Sequence, residues 1–117
     1  FSAGSFAGTY AFDTTGIGLA LYEEFDTIGP ANSDGVSALT GIFDQNILGV
    51  GQNAGVILTD GFTADPNGVF SGTMTGLDSA TPTNQDSFNY YVIDTTKVVA
   101  IENDTNQLTL GYFELQQ

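Results

Sequence analysis

The chain has no histidine, cysteine, arginine or tryptophan, and Lys97 is its one basic side chain against 14 carboxylates. Those absences remove the imidazole that serves as a general base near neutral pH, the thiolate nucleophile or soft metal ligand, and the guanidinium clamp for phosphate. An enzyme is therefore not expected, because a reaction would have to run on carboxylates alone or on a metal. Without cysteine there is no disulfide framework from which to read a redox compartment. Charged residues make up only 13% of the 117, about half the usual globular share. The net charge of −13 thus comes from missing Lys and Arg rather than from a surplus of acid. Such a surface repels phosphate backbones and anionic lipid, so nucleic acid is not an expected partner and polybasic membrane docking is not expected either. Long apolar runs are also missing. The longest, such as Val98-Val99-Ala100-Ile101, are strand-sized and far short of the roughly 18 residues of a membrane-spanning helix.

What is present is period-two alternation, the signature of β-strands. Phe6, Gly8, Tyr10 and Phe12 fall on one face, with Ser5, Ala7, Thr9 and Ala11 on the other. Leu19, Leu21 and Phe25 alternate with Ala20, Tyr22 and Glu24, and Val36, Ala38 and Ile42 with Ser37, Leu39 and Phe43. A Gly-rich stretch leads into residues 55–58, and Phe70, Gly72, Met74 and Gly76 share a side further on. Residues 87–93, 97–102 and 107–115 complete the set. Asp34-Gly35, Asp60-Gly61 and Asn67-Gly68 supply turn chemistry. Pro30, Pro66 and Pro82 are assigned to connections, since proline removes a ladder donor. The expectation is an all-β domain of about eight antiparallel strands in a two-sheet sandwich or small barrel. Residues 1–12 are a candidate first or donor strand, and 13–117 a single all-β domain.

Three stretches carry a resemblance. Gly61-Phe62-Thr63-Ala64-Asp65-Pro66-Asn67-Gly68-Val69-Phe70-Ser71-Gly72 is similar to a recurring hairpin of secreted acidobacterial Gly/Thr-rich β-modules. The run from Tyr90 to Asp104, followed by Gly111 and Gln116-Gln117, resembles their closing segment, and Gly8-Thr9-Tyr10-Ala11-Phe12 their first strand. The matches cover the first strand and much of the chain after position 60. The resemblance implies an exported, all-β, often tandemly repeated module and offers no catalytic residues to transfer. Tandem versions are longer, so association between molecules is expected here instead. Phe1 in place of Met reads either as a processed N-terminus, hence export, or as a trimmed chain.

Several groups of residues invite chemistry. Glu102, Asp104 and Asn106 mimic the first ligands of a calcium loop, but Gln107 stands where the loop needs Gly and Phe113 where it needs Glu. Calcium is thus a weakly supported cofactor, and the strand end at 102–104 is expected to dip into solvent. Asn103-Asp104-Thr105 is a formal glycosylation acceptor. Gly49 to Gly55 lacks the Lys-Ser/Thr pair and the helix of a phosphate loop and reads as a hairpin or bulge. Lys97 is expected to pair with a carboxylate such as Asp94 or Glu102.

Two functional expectations follow. In the first, the uncharged aromatic leader, with Phe1, Phe6, Tyr10 and Phe12, is donated to a neighbouring molecule and completes its sheet. The protein would then be a pilus-like structural subunit of an extracellular or cell-surface filament, with further copies of itself as partner, because head-to-tail contacts generate open polymers. In the second, a small barrel uses inward aromatics (Tyr22, Phe25, Phe43, Phe88 and Tyr90) to bind an apolar ligand, or displays a platform for carbohydrate.

Overall fold

The computed structural model describes residues 3–18, 23–48, 51–64, 69–75, 85–103, 105 and 107–117. Among these described residues a short 3-10 turn, Ala3–Phe6, precedes eight strands. They are β1 (Ala7–Gly18), β2 (Glu23–Asp34), β3 (Ala38–Ile47), β4 (Gly51–Ala64), β5 (Val69–Thr75), β6 (Gln85–Val92), β7 (Lys97–Glu102) and β8 (Gln107–Leu115). Each pairs antiparallel with its sequence neighbour, and β1 pairs with β8, so the sheet closes on itself as an up-and-down barrel. Closure removes both free edges and settles the choice between sandwich and barrel.

Alternation decides what the inside contains. On β1, Tyr10, Phe12, Thr14 and Gly16 are buried while Ala11, Asp13, Thr15 and Ile17 are exposed. On β6 and β7 the buried set is Asp86, Phe88, Tyr90, Val92, Val98, Ala100 and Glu102. The half of the lumen nearest Phe6 is filled by rings. Phe113 lies 5.4 Å from Phe12 in a stacked pair and meets Phe6, Tyr10 and Tyr90 edge-on at 5.7, 6.4 and 6.1 Å. Burial among these rings pushes the Tyr10 phenol above its ordinary value.

The leader belongs to this plug, which corrects the donor-strand expectation. Phe6, Tyr10 and Phe12 are buried in their own molecule's core. Both edges of β1 are occupied, by β2 along residues 7–18 and by β8 along residues 10–18. A strand so engaged cannot be donated without opening the barrel. Phe1 lies outside the described residues.

Two turn assignments also change. Pro30 lies within β2, paired with Ala11, where the β2–β3 ladder skips Gly29 and Pro30. Proline is tolerated at this gap because no β3 acceptor is waiting for its missing N–H. The strands close up here: a Cβ on Gly29 would collide with the Ile42 carbonyl oxygen, and one on Gly41 with that of Pro30. Asp60-Gly61 is likewise not a turn but the middle of β4, paired with both β3 and β5. Asn67-Gly68, Pro66 and Pro82 lie outside the described residues, as do Gly49 and Val50. Of that Gly-rich run, residues 51–55 open β4, and Ala54 and Gly55 form a bulge opposite Asp44, between the pairs Gln45↔Asn53 and Phe43↔Val56.

Asp34-Gly35 is the turn it was expected to be. Gly35 takes φ 70°, and the Asp34 carboxylate accepts the backbone N–H groups of Val36, Ser37 and Ala38 at 2.8–2.9 Å. Those donors hold its pKa below the ordinary 3.8, because hydrogen bonds to the charged form favour it. A carboxyl whose pKa is lowered on folding stabilises fully above its unfolded pKa and loses that contribution as pH falls through the folded value. In urea denaturation, wild type is therefore expected to exceed Asp34→Asn by a constant margin at neutral pH. The margin should shrink from about pH 4 downward. A margin that grows on acidification would contradict the assignment.

Candidate functional site

The other half of the lumen is built differently. Past the aromatic plug, the inward positions become Thr14 on β1, Thr27 on β2, Gln45 on β3, Asp86 on β6, Glu102 on β7 and Thr109 on β8, all buried. Phe25, Ile47 and Gly16 lie beyond them at the same end. Register brings these residues together. Thr14 stands opposite Thr27, Thr109 opposite Gly16, and Glu102 opposite Phe88, two residues from Asp86. Following paired residues from Ile47 through Phe25, Gly16, the Thr109 and Glu102 positions, Phe88, Gly72 and Phe62 leads back to β3 about ten residues from the start, the slant of a tilted barrel. Allowing for that slant, Asp86, Glu102, Thr109, Thr14 and Thr27 fall within roughly two residue steps of one height. They form a polar belt on five consecutive strands, β6 through β8 and then β1 and β2.

The belt is buried and rich in acceptors. Asp86 is 1% exposed and Glu102 6%. Thr14 and Thr109 are each 1% exposed, and their hydroxyl oxygens have no hydrogen-bond partner among the described residues. Gln45 Nε2 donates one of its two N–H groups to Thr27 Oγ1 at 3.2 Å. No cation reaches in from the protein's own side chains: Lys97 is exposed at the opposite end of β7, opposite Glu114. Its charge acts on Asp94, whose pKa is lowered first by the Thr96 hydroxyl and N–H and last by Lys97. Glu102, the other expected partner, points into the barrel.

Of the calcium-loop trio, Asp104 and Asn106 lie outside the described residues. Glu102 corrects the expectation of a strand end dipping into solvent: as the last inward residue of β7 it is buried. Among the described residues no three acidic side chains gather as a metal cluster. Asn103 is exposed, and its side chain donates to Asn89 Oδ1 at 3.0 Å. Phe25, Phe43, Phe88 and Tyr90 face inward as the second expectation required, while Tyr22 is outside the described residues. Phe43, Phe88 and Tyr90 pack in the core cluster. Concave areas lie on the outer wall: about 510 Å³ between Ile17, Ile101, Leu108 and Leu110, and about 370 Å³ beside Thr63, Ser71, Ser87 and Asn103.

Thr14, Thr27, Gln45, Asp86 and Thr109 were not singled out by sequence reasoning. Their signal was there: alternation continues past Phe12 and Phe113 with polar residues at the inward positions. The distraction was Ile17, Leu108 and Leu110, which are apolar yet exposed.

These features define a closed β-barrel with an aromatic half and a polar half. A solved structure that it resembles is a de novo designed fluorescence-activating β-barrel, with TM-score 0.65 at 12% identity over 99% of each chain. That likeness speaks to the fold alone. No family model matches the chain, and no curated protein does.

Hydroxyls buried without partners cost stability that a methyl group would not. Thr14→Val and Thr109→Val are expected to leave the protein as stable or more stable, by up to about 1 kcal/mol each in urea denaturation. Thr27→Val should cost about 1–2 kcal/mol, because Gln45 loses its acceptor. The reverse ranking would show that the belt's bonding is misassigned.

Proposed function

We propose that the protein is a non-catalytic binding module that takes a small polar ligand at the belt in its lumen. The observation that carries this reading is the pair of buried hydroxyls, Thr14 and Thr109, without partners beside two buried carboxylates. Native interiors satisfy such groups, and where the protein does not, water, an ion or a ligand does. The filled aromatic half supports the same reading, since it leaves the polar half as the part of the lumen with bonding capacity to spare. The chain has neither histidine nor cysteine, which supports a non-catalytic reading.

The test is amide chemical-shift mapping of the labelled protein against calcium, methylammonium, methanol, glucose and an apolar naphthalene dye. At least one polar probe should move amides around Thr14, Glu102 and Thr109, and the double variant Thr14→Val/Thr109→Val should lose that response while keeping its folded spectrum. Shifts confined to the outer wall, or a response only to the apolar dye, would contradict a lumenal polar site.

A further inference from the structure

The geometry points to a docking surface on the outer wall, over β7, β8 and β1, for a basic amphipathic peptide segment; it stands independently of the lumenal site. Ile17, Ile101, Leu108, Leu110 and Tyr112 are each at least 40% exposed. Scattered apolar side chains on a surface are ordinary, whereas a contiguous patch of them marks an interaction site. Register makes this patch contiguous. Tyr112 pairs with Val99, Leu110 with Ile101, and Leu108 with Ile17, so three successive outward rows are apolar. Between Ile17, Ile101, Leu108 and Leu110 the wall is concave, with about 510 Å³ of space, and Glu24 also lines the hollow.

Charge decides what fits there. Each apolar row ends in a carboxylate on the side toward β2. Asp13 pairs with Tyr112, Asp26 pairs with Thr15 beside Leu110, and Glu24 pairs with Ile17. All three acids are exposed, and Asp26 accepts a hydrogen bond from the Thr15 hydroxyl at 3.1 Å. The opposite border carries no acid among the described residues, because β6 turns Ser87, Asn89 and Tyr91 outward. Lys97, the one basic side chain of the sequence, lies a row further on, opposite Glu114 and away from these carboxylates.

A strip that is apolar along its middle and acidic along one side is complementary to a segment with an apolar face flanked by Lys or Arg. The spacing suits a helix. Rows two residues apart on a strand repeat at about 6.6 Å, close to the roughly 5–6 Å between i and i+4 side chains of a helix. The three rows span about 13 Å, or roughly nine helical residues. Other occupants match less well. The closed barrel has no free strand edge, so a partner cannot join by strand addition and must dock through side chains. A second copy brings a further net charge of −13, and an anionic lipid surface is repelled for the same reason.

The experiment titrates the labelled full chain with three peptides of about 14 residues, long enough to cover the strip as a helix. One is leucine and lysine in an amphipathic pattern, one has glutamate for lysine, and one has serine for leucine. Amide shifts locate binding and calorimetry gives the affinity. The leucine–lysine peptide should shift amides of β7, β8 and β1 around Ile101, Leu110 and Ile17. The serine–lysine peptide should bind at least about tenfold more weakly, and the glutamate peptide should give no response. Leu108→Thr/Leu110→Thr should weaken the leucine–lysine peptide by at least about tenfold. Val36→Thr/Ile42→Thr, at exposed apolar positions elsewhere on the surface, should change it less than about twofold. Glu24→Gln/Asp26→Asn should weaken it and flatten its salt dependence. If the Leu108→Thr/Leu110→Thr protein does not fold, the shift map of the wild type decides, and shifts centred elsewhere would overturn the inference. Equal binding of the serine–lysine peptide would reduce the contact to charge alone and overturn it. Binding to phosphatidylcholine vesicles without binding to the peptide would assign the strip to a lipid surface instead. Concentration-dependent dimers that Leu108→Thr/Leu110→Thr abolishes would assign it to a second copy, and either result would overturn the peptide reading.

Discussion

Everything in this molecule depends on the pairing of β1 with β8. Without it the chain is a curled sheet with two exposed edges, and inward and outward faces lose their meaning at the seam. With it, Tyr10 through Gly18 and Gln107 through Leu115 lie side by side, and eight short strands enclose an inside. Phe113, on one wall of the seam, then touches Phe6, Tyr10 and Phe12 on the other. The ring cluster and the ladder hold the same joint. The ladder sets the register, and the rings supply the area whose removal from water offsets the chain entropy lost on closure.

Closure also explains why the lumen is divided. An eight-stranded barrel is wide enough for side chains to fill or for one small ligand. Here rings fill the Phe6 end, and hydroxyls, an amide and carboxylates line the other. Filling one half with close-packed aromatics supplies the stability that the polar half does not, since buried carboxylates and partnerless hydroxyls are costly in a free protein. A polar belt set on strands, rather than on loops, is also held at fixed geometry.

Much of this architecture was legible in the sequence, and the failures have physical causes. The alternation of Phe6, Tyr10 and Phe12, and the runs in the last third, gave the strands, and Asp34-Gly35 gave its hairpin. The same aromatic leader was misjudged because an uncharged edge strand looks alike whether it closes its own barrel or completes another's. Only the position of β8 distinguishes the two, and strand order around a barrel is not written in local periodicity. Pro30 and Asp60-Gly61 were taken for turns by residue type, yet one sits at a gap in the β2–β3 ladder and the other runs through β4. The belt was the hardest to see. Thr109 and Glu102 alternate with Leu108, Leu110 and Ile101, so hydropathy along β7 and β8 favours the wrong face. A rule that places apolar residues inside therefore fails where the interior is itself a polar site.

The most direct measurement of the central claim is residue-resolved amide hydrogen exchange of the protein in dilute solution at several concentrations. If β1 closes its own barrel, its amides from Tyr10 to Gly16 should exchange as slowly as those of β7 and β8, with protection independent of concentration. Fast exchange along β1 beside a protected remainder would contradict the account. So would protection of β1 that emerges only as concentration rises, because the strand would then be held by another molecule.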